Sequence, residues 1–137
     1  MGRSLLGVVV GVVVGFLIVG LVETLGIRLY PLPAGVDPTN PESIAAAMGD
    51  LPLASFLFVL AAWFLGAWTG ATTAMRIARG TARWPGLAVG GLVLAASLFN
   101  LLTIPHPLWF AVVAVIGLVA VTLIASRPVG AVIRAGE

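Results

Sequence analysis

One acidic side chain, Glu23, lies far inside a long apolar segment of this 137-residue chain. A carboxylate in apolar surroundings is costly to bury, and it can hold a proton or a cation. Glu23 is therefore the first candidate for a functional group. The alternative is a hydrated or hydrogen-bonded carboxylate that only fixes the register of its helix, and the sequence leaves both readings open.

Four other polar residues are predicted to lie near Glu23. Ser55 and Asn100 fall at the same depth of their own apolar segments, and Arg28 and His106 lie at the rim. Polar groups in lipid need internal partners, so we expect these five residues to form an outer polar cluster. A metal site needs three or four ligands, and one His with one Glu and no Cys falls short, so no metal and no cofactor are predicted.

Composition sets the class of protein. The chain is 61% hydrophobic and 9% charged, whereas a soluble domain carries roughly a quarter charged residues. The net charge of +2 is too small and too scattered for a nucleic-acid surface. A nucleophile with its base, a metal set and a phosphate-binding loop are all missing, so no catalysis is predicted.

The apolar residues group into four segments long enough to cross a bilayer. A spanning helix needs about 20 mostly apolar residues, because about 30 Å of hydrocarbon must be crossed. Prolines mark most of the ends, since proline disfavours helix in the residue before it and is tolerated in a first turn, and Gly80 marks the end of the second span. The predicted spans are residues 4–29, 52–79, 84–104 and 107–126. We therefore predict one all-α domain, an antiparallel bundle of four transmembrane helices, with a short helix in the first outer loop, residues 31–51.

Arginine counts orient the predicted bundle. Six of the seven basic residues lie on one side: Arg3, Arg76, Arg79, Arg83, Arg127 and Arg134. Only Arg28 lies on the other side. Positive charge is retained in the cytoplasm, so we predict a multi-pass protein of the cell membrane with both termini cytoplasmic.

Glycines recur at helical spacing in three of the spans. Small residues four apart let helix backbones approach closely in a membrane. We therefore expect these glycines to pack helices, within one subunit or between subunits. They are Gly7, Gly11 and Gly15 in the first span, Gly66 and Gly70 in the second, and Gly86 and Gly90 in the third.

Helical periodicity also predicts which faces meet lipid. At about 100° per residue, Ser55, Gly66 and Gly70 share one face of the second span, and Trp68 points the other way. The fourth span has Thr122 as its only polar interior residue. We therefore expect Trp68 to face lipid, and the fourth span to be the helix most exposed to lipid or to a partner.

Two classes of function fit these features; we predict the first, and the second is the alternative. The first is a non-catalytic membrane protein that acts by assembly, as a homo-oligomer or beside a larger membrane partner. The second is a small proton- or cation-linked transporter or channel that uses Glu23. In size the chain is similar to small multidrug transporters and to four-span fluoride channels, but it carries the motifs of neither, so no family is assigned.

Overall fold

A computed structural model describes residues 1–79 and 82–128 of the chain. Its helices are α1 (Gly2–Leu29), α2 (Pro41–Ala47), α3 (Leu53–Ala78), α4 (Trp84–Thr103) and α5 (Leu108–Ala125), with a 3₁₀ turn at Met48–Asp50. Four of them, α1, α3, α4 and α5, are long and apolar enough to cross a membrane. The prediction of an all-α membrane bundle with a short helix in its first loop is confirmed. Gly80, predicted to end the second span, and Arg134 of the predicted arginine set lie outside the described residues.

Local sequence signals explain where the helices begin and end. α1 ends at Leu29, just before Tyr30-Pro31. The side chain of Asn40 accepts a hydrogen bond from the backbone N–H of Glu42 at 2.9 Å, which caps α2. α4 carries Pro85 in its first turn, and Pro107 precedes α5. Each observed boundary lies within two residues of the predicted one.

Glycines bring α1 and α3 into backbone contact along an antiparallel register. Cβ atoms added at Gly7, Gly11 and Gly15 would lie 2.6, 2.6 and 2.9 Å from carbonyl oxygens of α3. Those oxygens belong to Ala74, Gly70 and Gly66, so each step of four along α1 is matched by four residues back along α3. Glycine is required here because any side chain would separate the two backbones.

Two further glycines fit the α4–α5 hairpin together. A Cβ at Gly86 would lie 2.6 Å from the hydroxyl oxygen of Ser126, and one at Gly90 would overlap Thr122. Side chains of Thr122 on α5 and of Ser126, which caps α5, thus occupy the space that glycine leaves on α4. All seven glycines of the predicted series therefore make their close helix contacts within one chain.

α3 is the central helix, and it packs against each of the other three spans. The buried core joins α3 to α4 and α5, and its larger members are Phe56, Leu60, Trp63, Val93, Phe110 and Leu118. Trp68, on the opposite face of α3, is 44% exposed, as its position predicted.

The span most exposed to lipid is α1, where the sequence predicted the fourth span. α1 contributes only glycines to its buried face: Gly7, Gly11, Gly15 and Gly26. α5 instead buries Phe110, Ala114 and Leu118 against the core. Both helices pack against α3 and α4. The prediction counted polar residues, whereas exposure depends on which side chains a helix buries: α1 makes its contacts through glycines and leaves its larger side chains outside.

Candidate functional site

Glu23 faces the interior of the bundle, in the half nearer residues 30–52 and 104–107. We call that end of the bundle the loop end. Oε1 of Glu23 accepts a hydrogen bond of 3.0 Å from the indole N–H of Trp63 on α3. Glu23 lies between Gly15 and Gly26, and at both of these glycines α1 approaches α3 closely, against Gly66 and Phe58. This close approach lets the carboxylate reach the indole.

Trp63 is the partner that the sequence reasoning missed. Its side chain is 4% exposed and belongs to the core. A signal was available, because Trp63 lies three residues before Gly66, on the inward face of α3. An indole N–H at membrane depth needs an acceptor, and Glu23 is the strongest acceptor within the spans.

A cavity of about 200 Å³, the loop-end cavity, brings four of the five predicted cluster residues together. Glu23, Ser55, Asn100 and His106 all line it. The loop that contains α2 covers it with apolar side chains, among them Ile44, Met48 and Leu51. Polar groups from α1, α3 and α4 thus meet in a pocket whose walls are otherwise largely apolar.

A second cavity of about 160 Å³, the lateral cavity, lies between α1, α3 and α4. Its polar residues are Glu23, Trp63, Ser97 and Asn100, and its apolar residues are Phe16, Val19, Val93 and Ala96. Glu23 and Asn100 line both cavities. Glu23 therefore adjoins both cavities, one at the loop end and one between α1, α3 and α4.

The remaining cluster residues differ in their surroundings. Arg28 is exposed in the last turn of α1 and lines neither cavity. The hydroxyl of Ser55 is buried without a hydrogen-bond partner among the described residues. Asn100 is half-buried. The structure thus gathers Glu23, Ser55, Asn100 and His106 around one space and places Arg28 outside it.

His106 is held in a fixed position between α4 and α5. Its ring stacks on Phe110 with the centroids 4.9 Å apart, and Nδ1 lies 2.7 Å from the carbonyl oxygen of Ile104. Burial lowers the pKa of His106, and the hydrogen bond to Ile104 offsets part of that effect. The neutral imidazole is therefore the favoured form, with its second nitrogen available to other groups.

Chemically, this arrangement can hold a proton or a positively charged group. Within residues 1–79 and 82–128, no three His, Cys, Asp or Glu side chains are close enough together to hold a metal ion. The hydrogen bonds of the described residues provide the Glu23 carboxylate with one donor, Trp63. A carboxylate has room for several more donors.

Searches against protein-family models, curated proteins and solved structures find no match for this chain. No relative therefore supplies a function, and the geometry around Glu23 carries the functional argument.

Proposed function

We propose that this protein is a small proton- or cation-linked membrane transporter in which the Glu23 carboxylate holds the proton or the cation. The observation that carries the proposal is the position of Glu23 beside both the loop-end cavity and the lateral cavity. Ionisable side chains that hold ions inside membrane proteins commonly face an internal cavity. Glu23 adjoins two spaces of about 200 and 160 Å³.

Its hydrogen bonding supports the same proposal. Oε1 accepts from Trp63, and no described residue donates to Oε2. Asn100 and the unpartnered hydroxyl of Ser55 line the loop-end cavity with it. A cation entering there would meet a carboxylate and neutral oxygen atoms, which are groups that favour positive charge. Binding and release need no covalent step, so the proposal assigns no catalysis and no cofactor.

Orientation and location are part of the proposal. Positive charge lies at the end of the bundle opposite the loop end, at Arg3, Arg76, Arg79, Arg83 and Arg127. By the positive-inside rule, the termini are cytoplasmic and residues 31–51 face the exterior of the cell membrane. The loop-end cavity would then approach Glu23 from outside the cell.

Assembly with a second copy, or with a larger membrane partner, is the second candidate function. The predicted glycine series no longer argues for it, because those glycines pack helices within one chain. A different pair does: Gly91 and Ala95 lie four apart on an exposed face of α4, and a Cβ at Gly91 would meet nothing within 4 Å. Small residues at this spacing favour association of helices in a membrane.

Reconstitution into liposomes tests the transporter proposal. A pH-sensitive dye inside the vesicles reports proton movement while gradients of sodium, potassium or tetramethylammonium are imposed one at a time. We expect at least one gradient to drive proton flux, and we expect Glu23→Gln to abolish it. Glu42→Gln removes an equal charge from exposed α2 and should leave the flux unchanged.

Two results would overturn the proposal. One is that no gradient moves protons faster than in protein-free vesicles. The other is a flux that Glu23→Gln leaves intact. A stable dimer by native mass spectrometry, lost in Gly91→Leu while monomer folding is kept, would then favour assembly instead.

A further inference from the structure

The lateral cavity reaches the outer surface of the bundle between α1 and α4, which is a surface that faces hydrocarbon when these helices span a bilayer. Two of the residues that line it, Phe16 and Ala96, are also exposed on the outer surface of the bundle. Phe16 is 40% exposed and lies near the middle of α1, so the opening is at the depth of the acyl chains. Farther from the loop end, α1 and α4 are in contact. A Cβ atom added at Gly11 would lie 3.1 Å from a side-chain atom of Val89.

The lining of this cavity is apolar near the middle of α1 and α4 and polar nearer the loop end, because both helices run toward that end. Val19, Val93 and Ala96 are apolar, while Glu23, Ser97 and Asn100 are polar. The aromatic rings of Phe16 and Trp63 also line it. An anionic carboxylate beside aromatic rings is a combination that attracts a positive charge.

Size limits the apolar part of the ligand. A dry cavity of about 150 Å³ in another protein holds a benzene ring, and the lateral cavity is about 160 Å³. A bare metal cation would not reach Glu23 through hydrocarbon, because it would have to leave water first. A ligand that enters from the bilayer and fits both the apolar and the polar part of the cavity lining is therefore amphipathic.

We propose that the lateral cavity binds an amphipathic amine, with one ring-sized apolar group between α1 and α4 and its ammonium at the Glu23 carboxylate. The ligand enters from the bilayer, and the loop-end cavity is the route to water. The inference rests on the proposed function and names its substrate class.

Quenching of Trp63 fluorescence by a brominated amine tests the inference. The probe is 4-bromobenzylamine, whose bromine quenches an indole in contact with it. The experiment uses a variant in which Phe replaces Trp68, Trp84 and Trp109. These three Trp side chains are exposed, so probe dissolved in the lipid would quench them as well. In lipid nanodiscs we expect saturable quenching by the amine. With 4-bromobenzyl alcohol, which has no charge, we expect only the linear quenching that partitioning produces.

Three variants locate the site. Glu23→Gln should raise the Kd of the amine about tenfold or more, because a charge-assisted hydrogen bond is lost. Ala96→Leu places a larger side chain in the lateral cavity and should raise the Kd by a similar factor. Ala120→Leu makes the same change on the exposed surface of α5, outside both cavities, and should leave the Kd unchanged.

The inference is overturned if quenching is linear with both probes. It is also overturned if Glu23→Gln binds the amine as the parent does, or if the two alanine variants do not differ. Should the triple Trp replacement fail to fold, calorimetric titration of benzylamine into the otherwise unaltered chain and the same three variants decides between these outcomes. If the amine does not bind, a Glu23-dependent proton flux driven by sodium or potassium would still support the proposed function. The two proposals are therefore tested separately.

Discussion

A matched pair of Gly→Ala substitutions on α1 tests whether helix contact at glycine holds the bundle in register. At Gly11 an added Cβ would lie 2.6 Å from the carbonyl oxygen of Gly70, and 3.0 and 3.1 Å from side-chain atoms of Ala74 and Val89. At Gly20, nine residues further along the same helix, it would meet nothing within 4 Å.

The expected loss of stability depends on whether the atoms next to the added Cβ can move away from it. The carbonyl oxygen of Gly70 belongs to the α3 backbone, so α1 and α3 must separate by about 0.4 Å or more to restore a tolerable contact. Overpacking of this kind costs about 1–3 kcal/mol. Both variants gain the same helix propensity, up to about 1 kcal/mol. The difference between them therefore reports the overpacking cost alone, and we expect Gly11→Ala to be less stable than Gly20→Ala by about 1–3 kcal/mol.

Steric trapping in bicelles measures the free energy of unfolding of both variants and of the parent. Circular dichroism in the same bicelles checks that each variant keeps its helices before unfolding. If Gly11→Ala were as stable as Gly20→Ala, the close α1–α3 contact would not exist in the membrane, and the placement of Glu23 beside Trp63 would lose its structural basis.

Three further predictions concern topology, protonation and the Glu23–Trp63 contact. The chain has no Cys, so single cysteines can be introduced: a membrane-impermeant thiol reagent should label Ala34→Cys but not Ala82→Cys in intact cells, and the reverse pattern would contradict the orientation. His106 is the only histidine, and its pKa, read from its ring resonances by NMR, should lie below the usual value of about 6.5, because burial disfavours the charged form. Below about pH 6.5 the unfolded chain then binds a proton that the folded chain does not, so the free energy of unfolding should fall as the pH drops. The fall should be smaller in His106→Gln. An equal fall in the parent and in His106→Gln would refute this prediction. Glu23→Gln keeps an acceptor for Trp63, whereas Glu23→Leu leaves the buried indole N–H unpaired, so Leu should lower the free energy of unfolding below that of Gln by about 0.6 kcal/mol or somewhat more.

Much of the architecture could be predicted because it depends on local properties of the chain. Hydrocarbon thickness sets the length of an apolar span, and local signals, mostly prolines, mark where a helix can begin or end, so the ends of all four spans lie within two residues of prediction. Asn40 and Pro41 likewise specify the start of α2 by short-range chemistry. The inward face of α3 followed from helical periodicity, with Trp68 on the side away from it.

The neighbours of each helix could not be read from the sequence, and the candidate site depends on them. Equal depth and inward-facing positions brought Glu23, Ser55 and Asn100 into one predicted cluster, but neither says which side chains of two facing helices meet. Trp63 was missed for that reason although it lies on the inward face of α3, and Arg28, at a similar level to Glu23, lies outside both cavities.

By itself, the sequence determined that this chain forms four apolar helices, where each one ends, and which residues are small enough for helices to touch. Only the tertiary structure decided that the glycines meet partners within one chain, that α1 rather than α5 is the exposed span, and that Glu23 adjoins two cavities. The physical reason is the range of the forces. Transfer into lipid and helix termination act residue by residue, whereas a contact such as Glu23 with Trp63 joins groups 40 residues apart and exists only after the helices have packed.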